Sequence, residues 1–275
     1  MVAALTVAAT AVVSGAGAAG PTPGTVTGWD GISTASGNVR YVTVSSTRDT
    51  VVEKIRTRDS RVVRSGSIRG LYGVPLASYD GTATGLTRDG KSLVLSTFGA
   101  SAAFTRFVVL DTQTLKIRQR VALRGVWSLD ALSPDGRTLF LIQYLRGDNY
   151  ANYHVRAYDL RARQLIGGSI VDKREPETMT GLPMTRVVSP DATWAYTLYS
   201  RNTGPAFIHA LDTRHRSAVC IDLPWTAGPD TLLRVRMSLG QEGLVLSRPG
   251  IGRLAVVDLR TFEVHAMKDP TAPVG

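Results

Sequence analysis

Three charged side chains stand at matching places in a recurring frame. Asp30, Asp130 and Arg186 each lie three residues before a Ser-led turn, at Ser33, Ser133 and Ser189. The same offset from Thr87 and Ser238 gives Thr84 and Val235, with Arg234 and Arg236 close by. Two acids and a guanidinium gathered in one place could hold an ion or a polar ligand, or could neutralise one another. A second group is contiguous: Tyr144, Arg146, Asp148, Tyr150, Asn152 and Tyr153, followed by Lys173, Arg174, Glu175 and Glu177. Tyr and Arg are favoured on surfaces that bind tightly. The competing role is structural, with the tyrosines packing back on strand edges.

The rest of the chain is poor in catalytic patterns. His154, His209, His215 and His265 are dispersed, and none pairs at a metal-ligand spacing. There is no G-x-S-x-G nucleophile elbow. Gly15, Gly17 and Gly20 fit G-x-G-x-x-G, but Pro21 and Pro23 follow where a helix would have to start. Cys220 is the single thiol and sits in the apolar run Ala218 to Leu223, which reads as a buried structural residue. No cofactor and no metal are expected from these residues.

The elements that position the candidates form a repeat. Ser33, Thr87, Ser133, Ser189 and Ser238 are spaced by 54, 46, 56 and 49 residues, and each is followed by a β-rich run such as Thr138 to Leu141 or Trp194 to Thr197. A second anchor recurs at Asp111, Asp159, Asp212 and Asp258, with Arg56 in the first copy. An Asp there accepts backbone N–H groups two and three residues on and reverses the chain. Asp89-Gly90 and Asp135-Gly136 turn it one strand earlier, Gly supplying positive φ; Ala192 in the fourth copy implies a different turn or strain. Turn, strand, turn, strand over about fifty residues describes a four-stranded antiparallel unit. No window keeps a helical period, so the chain reads as all-β.

Val2 to Val13 is uncharged and apolar, and Ser14 to Gly20 is rich in small residues, so residues 1–19 read as a signal peptide cut near Ala18 or Ala19. The basic start of such a leader is missing, since the first Arg is Arg40. No other run is long enough for a transmembrane anchor. Residues 20–28 form a short lead-in, 29–267 a single folded unit, and 268–275 a tail. The net charge is +10, with 32 Lys and Arg against 22 Asp and Glu, scattered along the sequence. That balance favours anionic partners. Export argues against nucleic acid, and no stretch interleaves Arg with exposed aromatics.

Ser133 to Gly136 with Leu139 to Leu141, Ser189 to Asp191, and the strand endings Val109-Leu110-Asp111, Ala157-Tyr158-Asp159, Ala210-Leu211-Asp212 and Val256-Val257-Asp258 resemble the bacterial YVTN-type and other WD-like propeller repeat proteins. The resemblance covers residues 29 to 267 and implies a β-propeller of four-stranded antiparallel blades, five in number. It carries no catalytic motif. In such a fold the strand before each Ser-led turn is innermost, so Asp30, Asp130 and Arg186 should face the central channel. The short turns share one face. The long segments, among them Phe98 to Thr105, Gln143 to Tyr153 and Asp172 to Pro183, share the other, which becomes the expected binding face. The expected function is an exported, monomeric, non-catalytic binding module of the bacterial cell envelope with an unknown protein or polymer partner. One alternative is a lactonase-like hydrolase using Asp30 and Asp130 around a divalent ion. The other is a binder of anionic envelope polymers.

Overall fold

A computed structural model describes residues 25–26, 31–97, 103–145, 152–201 and 203–273. After β1 (Thr25–Val26), the first blade comprises β2 (Ile32–Ser33), β3 (Val39–Ser45), β4 (Asp49–Arg56) and β5 (Arg61–Arg69). The second comprises β6 (Tyr72–Pro75), β7 (Ser92–Thr97), β8 (Phe104–Asp111) and β9 (Ile117–Arg124), with β1 added beside β6. The third holds β10 (Trp127–Leu132), β11 (Thr138–Tyr144), β12 (Asn152–Asp159) and β13 (Gln164–Leu165), and β14 (Met179–Thr180) also pairs with β12. The fourth holds β15 (Leu182–Val188), β16 (Trp194–Ser200), β17 (Phe207–Asp212) and β18 (Ser217–Asp222). A four-residue helix, α1 (Pro229–Leu232), precedes the fifth: β19 (Arg236–Gly240), β20 (Gly243–Arg248), β21 (Gly252–Val257) and β22 (Val264–Ala266). Among the described residues all pairings are antiparallel, and apart from β1 with β6 and β12 with β14 they join consecutive strands, as in a β-propeller.

The two repeated turns explain why these short runs become strands. In the third blade the Ser133 hydroxyl donates to Asp135 Oδ1 at 2.6 Å and accepts from Thr138 N at 2.9 Å. Gly136 closes the reversal at φ 68°. Thr87 and Ser189 repeat that geometry. Ala192 adopts the same left-handed conformation, φ 59°, so the fourth copy keeps the turn type and carries the strain of a Cβ there. At the other turn Asp111, Asp159, Asp212 and Asp258 accept N–H groups two and three residues on, at 2.7–3.1 Å.

Hydrogen-bond register corrects the alignment of the outer copies. Thr34, not Ser33, exchanges the turn bond with Val39, as Ser133 does with Thr138. In the fifth blade Leu239 pairs with Leu244 as Leu132 does with Leu139, and Gly240 pairs with Gly243 across a shorter turn, so Gly240 replaces Ser238 in the frame. A slip of one residue moves a side chain to the opposite sheet face. The positions equivalent to Asp130 and Arg186 are therefore Gly31 in the first blade and Met237 in the fifth.

Cores lie between successive blades rather than in one centre. Tyr41, Val52 and Ile68 pack on Leu93 and Leu110. Phe107 and Val121 pack on Leu139 and Leu141. Phe140 and Val155 meet Phe207 and Leu211, and Leu198 and Ile208 meet Leu244 and Leu254. Alternate residues of each sheet serve the two neighbouring interfaces, which is why the strands read as near-continuous apolar runs.

The second blade departs from the pattern. Between Pro75 and Leu86 its innermost strand makes an excursion, closed by the bridge Leu76–Ala83. The tip reaches the fourth blade: Tyr79 N donates to Pro183 O at 2.9 Å, Asp80 N to Met184 O at 3.1 Å, and the Thr185 hydroxyl to Asp80 Oδ2 at 2.6 Å. This strap crosses from one innermost strand to another two blades away.

Candidate functional site

The channel positions come together under that strap. Asp130 sits where the pairing of β10 with β11 shifts register between Leu129 and Ala131, and Arg186 stands on β15. Each side chain is 2% exposed, and the two form an ion pair. The Arg186 guanidinium donates to Asp130 Oδ1, to the Asp130 carbonyl, and from Nε to the Thr197 hydroxyl at 2.8 Å. Thr84, the matching residue of the second blade, donates to the same carbonyl at 3.3 Å. Pairing satisfies two charges that would each be costly to bury alone.

Tyr144 and Tyr153 join this seam between the third and fourth blades. Both are buried, and the Tyr144 hydroxyl lies 3.1 Å from Ser128 Oγ. Tyr153 stacks on Tyr199 with ring centroids 6.0 Å apart, and Tyr199 stacks on Phe207 at 5.1 Å. Burial pushes all three phenols well above their usual range. His209, on β17, meets Tyr199 edge to face and is 1% exposed. Neither of its ring nitrogens has a partner, nor does Asp130 Oδ2. Burial lowers the His209 pKa to about 4, so the ring is neutral at pH 7. The remaining cavity, about 10 Å³ lined by Ser128, Asp130 and the three tyrosines, has room for about one water molecule.

Other expected residues take structural places. Arg174 forks onto Asp172 at 3.0 and 2.6 Å and reaches the Cys220 carbonyl, while Asp172 Oδ2 accepts Cys220 N at 2.9 Å. The Arg174 hydrogen bonds hold the Asp172 carboxyl far below its usual range. They pin the connection between the third and fourth blades to β18. Lys173 is exposed. Burial pushes the Cys220 thiol up to about 12, which leaves it unreactive. Asp30, Arg146, Asp148 and Tyr150 fall outside the described residues. Among those described, no three His, Cys, Asp or Glu side chains are placed to hold a metal ion.

A basic feature lies elsewhere, and the sequence reading missed it. A cleft of about 700 Å³ opens between the first two blades at the face of the long connections. Arg48 in the β3–β4 turn, Arg69 at the end of β5, Arg106 on β8 and Arg120 on β9 line it, with no Asp or Glu among its lining residues. Phe104 stands at its edge, 37% exposed, with the Arg106 and Arg124 guanidinium carbons 5.9 and 5.8 Å from its ring centre. Arginine does therefore interleave with an exposed aromatic. The cationic residues, scattered in sequence, are also unequal in space. Residues 31–125 hold 15 Lys and Arg against 6 Asp and Glu, a net of +9, while residues 126–275 hold 17 against 15, a net of +2. The alternation in Arg118-Gln119-Arg120-Val121-Ala122-Leu123-Arg124 was the available signal, because period two puts those arginines on one face of a strand.

Five such sheets with their interfaces define a β-propeller, and comparison with solved structures supports that class. The β-propeller domain of Cps50 (Swd1) from Myceliophteria thermophila matches with TM-score 0.51 and 13% identity, over 86% of this chain and 69% of that one. TolB from Acinetobacter baumannii matches with TM-score 0.47 and 12% identity over 78% of this chain, which spans 50% of the TolB chain. A chain of the mitotic checkpoint complex gives 0.43 at 13% identity, covering 90% of this chain and 68% of its own. The likeness to the Cps50 domain, at 13% identity, speaks for the fold alone. No family model matches the sequence, and no curated protein is similar to it. No helix among the described residues is long and apolar enough to cross a membrane.

Proposed function

We propose that the chain is a non-catalytic propeller module, related to the YVTN-type repeat proteins, exported to the bacterial envelope, that binds an anionic partner in the cleft between its first two blades. The observation that carries this reading is the gathering of Arg48, Arg69, Arg106 and Arg120 around one cleft without a lining carboxylate. Like charges held together raise the free energy of the unbound state and give an anion a favourable field. Arg adds forked, planar donors that match phosphate and carboxylate oxygens. The buried charges support a scaffold role, because Asp130 and Arg186 form an ion pair with both side chains 2% exposed.

Chromatography on a phosphate-bearing matrix tests this reading. The double variant Arg106→Ser/Arg120→Ser should elute at clearly lower salt than the parent, whereas Arg161→Ser/Arg260→Ser, which removes the same charge from exposed sites in the third and fifth blades, should elute close to it. Equal shifts for both pairs would mean that net charge alone, and not the cleft, retains the protein. Export is checked by the mass of the mature chain, which should begin near Ala18 or Ala19.

A further inference from the structure

The cleft has a direction as well as a charge. Phe104 pairs directly with Arg124 across β8 and β9, and Arg106 pairs with Ala122, one step from Arg120. Arg120 and Arg124 therefore lie on one sheet face, four residues apart, a distance of about 13 Å along the strand. Arg106 fills the interval from the neighbouring strand. Its guanidinium and that of Arg124 share the Phe104 ring, which holds both long side chains over the sheet instead of leaving them to rotate in solvent. Arg48 and Arg69 supply the opposite wall from the first blade.

We infer that the cleft takes an extended chain of phosphate groups, running along β8 and β9, and that Phe104 positions the arginines which bind it. This rests on the reading that the cleft binds an anion at all. A compact dianion spans too little of a row about 13 Å long to engage Arg120, Arg106 and Arg124 together. A flexible linear chain can satisfy all three and release a counterion at each. Leu71 is exposed beside the arginines, and Tyr72 and Phe107 are buried in the lining, so the floor is apolar and leaves charge pairing as the main polar interaction.

The test is titration calorimetry of the full chain with long-chain inorganic polyphosphate, with pyrophosphate, and with a single-stranded oligonucleotide of matching charge, each at several salt concentrations. Polyphosphate should bind at least roughly tenfold more tightly than pyrophosphate at equal phosphate concentration, with a steep salt slope. Arg106→Ser/Arg120→Ser should lower that slope by about 1.4, at 0.7 per phosphate contact on a single strand. Phe104→Ala, which leaves the charge unchanged, should weaken polyphosphate binding several-fold and pyrophosphate binding less; equal weakening of the two, or none, would mean that Phe104 does not align the arginines for an extended chain. Similar affinity for the oligonucleotide, independent of its bases, supports phosphate-chain recognition, whereas strong base dependence would replace it with nucleobase recognition. Equal affinity for pyrophosphate and polyphosphate, both weakened in the arginine variant, overturns the extended chain but leaves anion binding standing. Failure of all three ligands to bind overturns both.

Discussion

Arginine does opposite work in two interfaces of this propeller. Between the third and fourth blades Arg186 is buried, spends its donors on Asp130 and Thr197, and belongs to a seam of tyrosines closed by a strap from the second blade. Between the first and second blades four arginines face open solvent around a cleft with no acid in its lining. Both are inter-blade seams of one repeat, so the fold itself does not dictate either outcome. What differs is compensation: a charge fully neutralised inside the protein holds the scaffold, and a charge left uncompensated at its surface is available to a ligand.

The sharpest way to break this contrast is to remove one partner of the buried pair. Arg186→Met leaves the Asp130 carboxylate 2% exposed without its cation. Such a change costs about 3–5 kcal/mol. Urea denaturation should show a large fall in midpoint at unchanged slope. The double variant Asp130→Leu/Arg186→Met should recover most of that loss, since a buried pair replaced by apolar groups of similar volume is often neutral. If Arg186→Met costs no more than a surface substitution, the seam is more hydrated than its burial implies, and the channel returns as a candidate ligand site.

His209 tests the same seam through pH. Its folded pKa of about 4 lies below the ordinary 6.5, so the unfolded chain binds the extra proton between those values. Stability is therefore whole above pH 6.5, declines as pH falls towards about 4, and stops declining from this cause below it. The shift corresponds to about 3 kcal/mol. His209→Leu should flatten the decline in that window while leaving the loss at lower pH. That later loss comes from carboxylates held low by hydrogen bonds, among them Asp111 and Asp191 at their turns, near 2, and Asp172 beside Arg174. An unchanged pH profile in His209→Leu would mean that the ring already has a protonation partner in solution.

The contrast also marks what a sequence can reveal. The blade frame was legible because Ser133, Asp135 and Gly136 do local work: their hydrogen bonds close within five residues, and the spacing records it. Counting from those turns put Asp130 and Arg186 at matching places on the first strands of their blades. Their pairing was not legible, because it joins residues 56 apart across two sheets. Register failed where the turns depart from the repeat: at Thr34, where one residue decides which face a side chain takes, and at the shortened turn from Gly240 to Gly243. The strap was hidden because Leu76 to Ala83 reads as a loop, and the residues that tie Asp80 to the fourth blade, Met184 and Thr185, lie more than a hundred residues away. The arginine cleft was hidden because its walls come from different blades, so only the β9 portion left a trace in the local sequence.

The smallest expected effect sharpens the comparison from the other side. If the cleft arginines are uncompensated, removing one should cost the free protein almost nothing, because an exposed substitution normally changes stability by no more than about 0.5 kcal/mol. Mutual repulsion among Arg48, Arg69, Arg106 and Arg120 gives the change a sign. Arg120→Ser should raise stability slightly at low salt. That gain should fade as ionic strength approaches 0.15 M, where charges more than about 8 Å apart are largely screened. Thermal unfolding of parent and variant across a salt series measures it directly: two curves that converge from above identify stored repulsion. A variant less stable than the parent at low salt would mean that Arg120 has a compensating partner, and the cleft would then resemble the buried seam after all.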